Sequence, residues 1–139
     1  MLTRQEIFDT VVIHAATQLT QCSDSGCKYR HGDNKCWAGA LILDEFYDDS
    51  FEGDVVPYNL ELAITPSSKL LADSLIKSGV KEEDFVLVKA LQRIHDTYEN
   101  WDDKNGMVSA LRWTATEYLL ERRILNICTE AILMQECTG

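Results

Sequence analysis

Lys81-Glu82-Glu83-Asp84-Phe85-Val86-Leu87-Val88-Lys89-Ala90-Leu91-Gln92-Arg93-Ile94-His95-Asp96 carries the pattern that sets the fold class. Its acids Glu82, Glu83 and Asp84 stand where the unpaired N–H groups of a helix N-terminus favour negative charge. Val88, Leu91 and Ile94, followed by Tyr98, then recur at three- and four-residue steps, which gathers them on one helical face. The spacing predicts a helix from about Glu82 to Glu99, with a polar turn from Asn100 to Gly106.

The same period recurs on both sides. Upstream, Thr65 before Pro66 is a capping residue followed by a favoured first-turn proline. Leu71 with Leu75 and Ala72 with Ile76 then form an apolar stripe up to the stop at Gly79. At the N-terminus Thr3 and Glu6 have capping-box spacing. Ile7, Phe8, Val11, Val12, Ala15 and Leu19 extend a helix to about Gln21, before Ser23-Asp24-Ser25-Gly26 breaks it. Downstream, Met107 to Gln135 contains no proline or glycine and carries Leu111, Tyr118, Leu125 and Ile132 at sevenfold spacing. One long C-terminal helix is expected there, with Glu121-Arg122-Arg123 as the place where an interruption would fall.

Between the first two helices, Cys27-Lys28-Tyr29-Arg30 and Lys35-Cys36-Trp37-Ala38 flank a turn cluster, His31-Gly32-Asp33-Asn34, and read as a small β-hairpin. Ala38-Gly39-Ala40-Leu41-Ile42-Leu43 fits either a continued buried strand or a helix whose small residues suit close backbone packing, and a short helix ending near Tyr47 is the favoured reading. Asp48 to Tyr58 is acidic, contains Gly53 and Pro57, and reads as a surface loop of the kind that often carries function. The expected fold is α+β and predominantly helical, with helices packed around a short N-terminal β-hairpin and a long C-terminal helix. Residues 1–139 read as a single domain, a common domain size.

Cys27-Lys28-Tyr29-Arg30 followed by Lys35-Cys36-Trp37-Ala38-Gly39-Ala40-Leu41-Ile42, then Asp44-Glu45-Phe46-Tyr47-Asp48, Glu52-Gly53 and Leu91-Gln92-Arg93-Ile94-His95-Asp96, resembles an uncharacterised group of small phage and prophage accessory proteins. The resemblance implies an accessory role, such as counter-defence, and no particular chemistry.

Composition narrows the function classes. Thirteen basic residues against 23 acidic ones give a formal charge of -10. A nucleic-acid binder draws its affinity from neutralising phosphates, so direct DNA or RNA binding is not expected. No leader or membrane span is read, which places the chain in the cytoplasm, the host's if it is phage-encoded. The five cysteines are then expected as thiols.

Four constellations are candidates for function. Cys22, Cys27, His31 and Cys36 have the residue types of a structural zinc site but no Cys-x-x-Cys knuckle, so no metal is expected and Cys27 and Cys36 read as buried hydrophobes facing each other. Cys36 as nucleophile with His95 as base would make a cysteine-dependent enzyme. Asp96 is an awkward orienting acid for it, since neighbours on a helix point about 100° apart. Asp44, Glu45, Asp48, Asp49, Glu52 and Asp54 read as a solvated acidic loop without calcium-ligand order. Finally, Tyr29, Trp37, Phe51, Asp54 and Trp101 are candidate contact residues, with Trp101 expected to be exposed, because aromatics anchor interfaces. The reading adopted is a binding or inhibitory accessory protein that engages a host protein or small ligand through hairpin and acidic loop, without a cofactor. The cysteine-dependent enzyme and the structural zinc protein are its alternatives.

Overall fold

A computed structural model of the chain describes residues 1–18 and 28–134. Thr3 caps α1 (Arg4–Thr17): its Oγ1 accepts the Glu6 N–H at 3.1 Å, and its own N–H donates to Glu6 Oε1 at 3.0 Å. The helix ends at Thr17, short of Gln21, because Gln18 turns extended and its Oε1 accepts the Lys35 N–H at 2.8 Å. The expected break at Ser23-Asp24-Ser25-Gly26 lies outside the described residues.

The expected β-hairpin is reduced to a turn. Arg30 pairs with Lys35 and His31 with Asn34 in an antiparallel ladder two residues long, with Gly32 at φ 61°. Too few residues pair for helices to pack around it, and the helices pack on one another instead. α2 (Trp37–Ala40) follows at once, and a separate 3-10 turn at Asp44–Phe46 replaces the rest of the helix expected to reach Tyr47.

After the acidic loop, α3 (Pro66–Lys77) begins at Thr65, whose Oγ1 accepts the Ser68 N–H at 3.1 Å, and Gly79 follows at φ 106°. Both ends match the sequence signals. The next helix is shorter than expected: a 3-10 turn at Glu82–Asp84 leads into α4 (Phe85–Asp96), which stops at Thr97. There Asn100 Nδ2 donates to the Ile94 carbonyl at 3.0 Å, so a side chain replaces the next helical rung. The segment expected as a polar turn is instead α5 (Tyr98–Asp102) and the start of α6 (Lys104–Glu117), capped by Asp103, whose Oδ1 accepts the Asn105 N–H at 3.1 Å.

The long C-terminal helix is two helices. α6 stops at Glu117 and α7 (Arg123–Met134) starts after a link in which Leu119 has φ 57°. Leu120 N–H donates to the Ala115 carbonyl at 2.7 Å and Leu119 N–H to that of Thr116 at 3.3 Å, the bond pair of a helix stop normally built on glycine. Gln5 of α1 holds the link from outside, donating to the Glu121 carbonyl at 3.0 Å and accepting its N–H at 2.8 Å.

α1 packs along α7, α7 on α6 and α6 on α4, while α2 sits between α1 and α4. The fold is mostly helical. Ile7, Phe8 and Val11 of α1 meet Leu87, Val88 and Leu91 of α4, Leu111 of α6, and Leu125 and Ile132 of α7 in one buried cluster. Each large side chain so buried contributes about 1.5–3 kcal/mol. Among the described residues no helix is long and apolar enough to cross a membrane.

Candidate functional site

A cavity of about 270 Å³ opens where the segment at Lys28 and Tyr29, the acidic loop and α4 meet. Lys28 and Tyr29 come from the first, Gly53 to Val56 from the second, and Lys89, Gln92, Arg93 and Asp96 from one face of α4. Cys36 lies at its inner wall. The four α4 residues follow steps of three, one and three, which a 3.6-residue period brings to one side of the helix.

The acidic loop is not simply a solvated run. Glu52 binds it to the turn segment: its Oε1 accepts the Tyr29 N–H at 2.7 Å, and its Oε2 accepts the Arg30 N–H at 3.1 Å and the Tyr47 hydroxyl at 2.5 Å. Tyr29 returns the connection by donating its hydroxyl to the Asp54 carbonyl. Burial pushes the Tyr29 hydroxyl far above its ordinary pKa, reinforced by the charges of Cys36 and Asp96, so it remains a donor. Arg30 extends the frame, pairing with Asp44 at 2.7 Å, donating to the Ile42 carbonyl at 2.8 Å and lying 4.6 Å from the Tyr47 ring centre. The hydrogen bond that Arg30 donates to Asp44, with Lys35 nearby, lowers the Asp44 pKa. Phe51 packs edge-on against both Tyr29 and Tyr47 beneath the loop.

On the opposite wall, Gln92 is the hinge of a polar chain. Its Oε1 accepts the Ala38 N–H at 2.8 Å, fixing α2 to α4, and its Nε2 donates to Asp96 Oδ1 at 2.8 Å. His95 Nδ1 lies 2.8 Å from the same Asp96 oxygen. The geometry overturns the expectation that Asp96 is badly placed to orient His95: Asp96 is the last residue of α4, and its short side chain folds back across the helix end. The imidazole is fully buried between Trp37 and Trp101, with ring centres 5.9 and 5.6 Å away. Cys36 caps α2, its Sγ accepting the Gly39 N–H at 3.2 Å, and has no surface open to solvent.

The other candidate residues divide clearly. Of the expected zinc ligands, Cys22 and Cys27 lie outside the described residues and so does the expected facing of Cys27 and Cys36, while His31 is described in its backbone alone. Among the described residues no group of three His, Cys, Asp or Glu side chains is placed to hold a metal. Trp101, expected at the surface, is 6% exposed and donates its Nε1–H to the His95 carbonyl at 2.7 Å. Its polar neighbours Asp102 and Asp103 hid the fact that residues 98–102 are helical. Trp37 and Phe51 are also buried, whereas Tyr29 and Asp54 line the cavity. Sequence reasoning passed over Lys89, Gln92 and Arg93 as wall residues and Glu52 as a clamp. The polar face of α4 was the available signal for the first three.

Lys89 reaches across the cavity roof, donating to the Val56 carbonyl at 2.6 Å with its Nζ 4.5 Å from the Tyr58 ring centre. Burial lowers its pKa, and the charge of Arg93 adds to the effect. The wall is concave and combines apolar patches with a few converging polar groups. Compared with protein-family models, curated proteins and solved structures, the chain has no match.

Proposed function

We propose that this protein is a phage-type accessory binding protein that takes a small ligand into the cavity between the acidic loop and α4, acting in the cytoplasm, the host's if it is phage-encoded. The cavity carries the reading, because it combines an apolar wall at Val55 and Val56 with polar groups that the fold holds rigidly through Glu52 and Gln92. The phage origin, and counter-defence as its setting, rest on the resemblance of residues 27–48 and 91–96. Of the two partners expected, a small ligand fits better than a host protein, since Phe51, Trp37 and Trp101 are occupied in the core and cannot serve as surface anchors.

The test is a cavity-filling variant. Val55 is 73% exposed at the rim, so Val55→Trp is tolerated by the core while obstructing the opening. A small-molecule extract should raise the melting temperature of the unaltered chain and leave that of Val55→Trp unchanged. Equal stabilisation of both would sink the reading.

A second reading, the cysteine-dependent enzyme, is favoured by one observation: Cys36 and Asp96 line the same cavity, and Asp96 is bonded to His95. Cys36→Ser separates the two. Under the binding reading, ligand-induced stabilisation persists in the serine variant and changes only as far as its folding stability does. Loss of a ligand's turnover with unaltered melting temperature would establish the thiol as a nucleophile.

A further inference from the structure

The chemistry of the cavity wall goes against the chemistry of the chain. Over the whole sequence acids outnumber bases 23 to 13, yet the cavity is lined by three cations, Lys28, Lys89 and Arg93, against two carboxylates, Asp54 and Asp96. One of those carboxylates is already engaged, since Asp96 Oδ1 accepts from Gln92 and lies against His95 Nδ1. Lys89 and Arg93 stand one turn apart on α4, an arrangement of like charges that weakens an isolated helix. No ion pair of Lys28, Lys89 or Arg93 is seen among the described residues. Cations therefore outnumber carboxylates, three to two, on a concave surface whose apolar wall includes Tyr29, Val55 and Val56.

We infer that the ligand is a small organic anion, with an apolar body against Tyr29, Val55 and Val56 and a carboxylate or phosphate head held by Lys89 and Arg93, with Lys28 at the mouth. This rests on the small-ligand reading above and names the class of ligand for the same cavity. A volume of about 270 Å³ restricts the occupant to a compact molecule, at the lower end of ligand-site sizes. A head group bound there relieves the repulsion between Lys89 and Arg93 and gains charge-assisted hydrogen bonds from both. A cationic ligand would meet that repulsion instead, and a neutral one would leave it in place.

Four probes of similar size test the inference on the full chain by amide chemical-shift mapping: benzoate, phenyl phosphate, benzyl alcohol and benzylamine. The expected result is that the two anions shift the amides of Tyr29, Asp54, Val56 and Gln92. Their affinity should fall as salt is raised, and by roughly tenfold in Arg93→Gln, a substitution on the exposed face of α4. Lys89→Met gives a second reading of the same loss. Benzyl alcohol or benzylamine binding as tightly as benzoate, or anion affinity unchanged in both variants, would overturn the anionic assignment and leave a cavity that binds another class. Anions that shift only amides remote from the cavity would overturn it equally. If none of the four moves the cavity amides, the small-ligand reading falls and takes this inference with it.

Discussion

At the residue scale, Gly39 sets how closely α2 approaches the chain that carries Tyr29, a residue of the cavity wall. A Cβ built there would stand 2.1 Å from the Tyr29 carbonyl oxygen, a backbone atom that has no rotamer by which to withdraw. The glycine lets α2 lie directly against the chain that carries Tyr29, and the Cys36 N–H donates to that same carbonyl at 3.2 Å. Gly39→Ala should destabilise the fold by about 1–3 kcal/mol, the range for an added carbon in a packed site. Urea denaturation measures the loss, and a midpoint equal to that of the unaltered chain would refute the close contact. The Ala-Gly-Ala run was legible as a site of close backbone packing, but nothing local named Tyr29 as the neighbour. The bond from His95 to Asp96 was not legible at all, because it depends on α4 ending at Asp96, and that end is set by Asn100 four residues later.

At the element scale, the division of the C-terminal segment turns on one unusual backbone conformation. Leu119 adopts the left-handed region at φ 57° and is 93% exposed, so it pays strain without returning burial. A leucine there costs about 1–2 kcal/mol, and glycine loses about 0.5–1 kcal/mol of that gain to chain entropy. Leu119→Gly should therefore raise stability by about 0.5–1 kcal/mol, seen as a higher urea midpoint with unchanged helical circular dichroism. A lower midpoint would mean that the leucine makes a contact the link needs. Sevenfold spacing from Leu111 to Ile132 fits a continuous helix equally well, which is why the period alone did not reveal the stop. The usual marker, a glycine after the last turn, is absent, and the stop is held by Gln5 from a distant part of the chain.

At the scale of the whole molecule, pH tests how α1 is joined to the turn segment. His14 Nε2 lies 2.8 Å from the Lys35 carbonyl and, as the donor, ties the first helix to the chain leading into α2. Burial lowers the His14 pKa; the bond to Lys35 opposes the shift, and the charges of His95 and Lys35 add to it. The folded state thus binds its proton less readily than the unfolded chain, whose histidine titrates near 6.5. Stability is complete above that value and declines as pH falls below it, because only the unfolded state gains the proton. His14→Gln keeps a donor for the carbonyl and should flatten the decline in urea midpoints between about pH 7.5 and 5.5. An unaltered slope would place the dependence elsewhere. The lowered pKa values of Glu6, held by Thr3, and Asp44, held by Arg30, act in the same sense but at more acid pH: their contributions are present above the carboxylate range and lost as pH falls through it.

Local signals in the sequence determined the helical character, the start of α1 at Thr3, both ends of α3 and the position of the acidic loop. Caps, first-turn proline and apolar period act within a few residues, so they can be read without the rest of the chain. Tertiary structure alone decided the ends of α4 and α6, the burial of Trp101 and Phe51, and the union of Tyr29, Val56, Lys89 and Gln92 around one cavity. Those outcomes depend on partners far along the chain, Gln5 with Glu121, Tyr29 with Glu52 and Ala38 with Gln92, and such pairings leave no periodic trace in a single sequence.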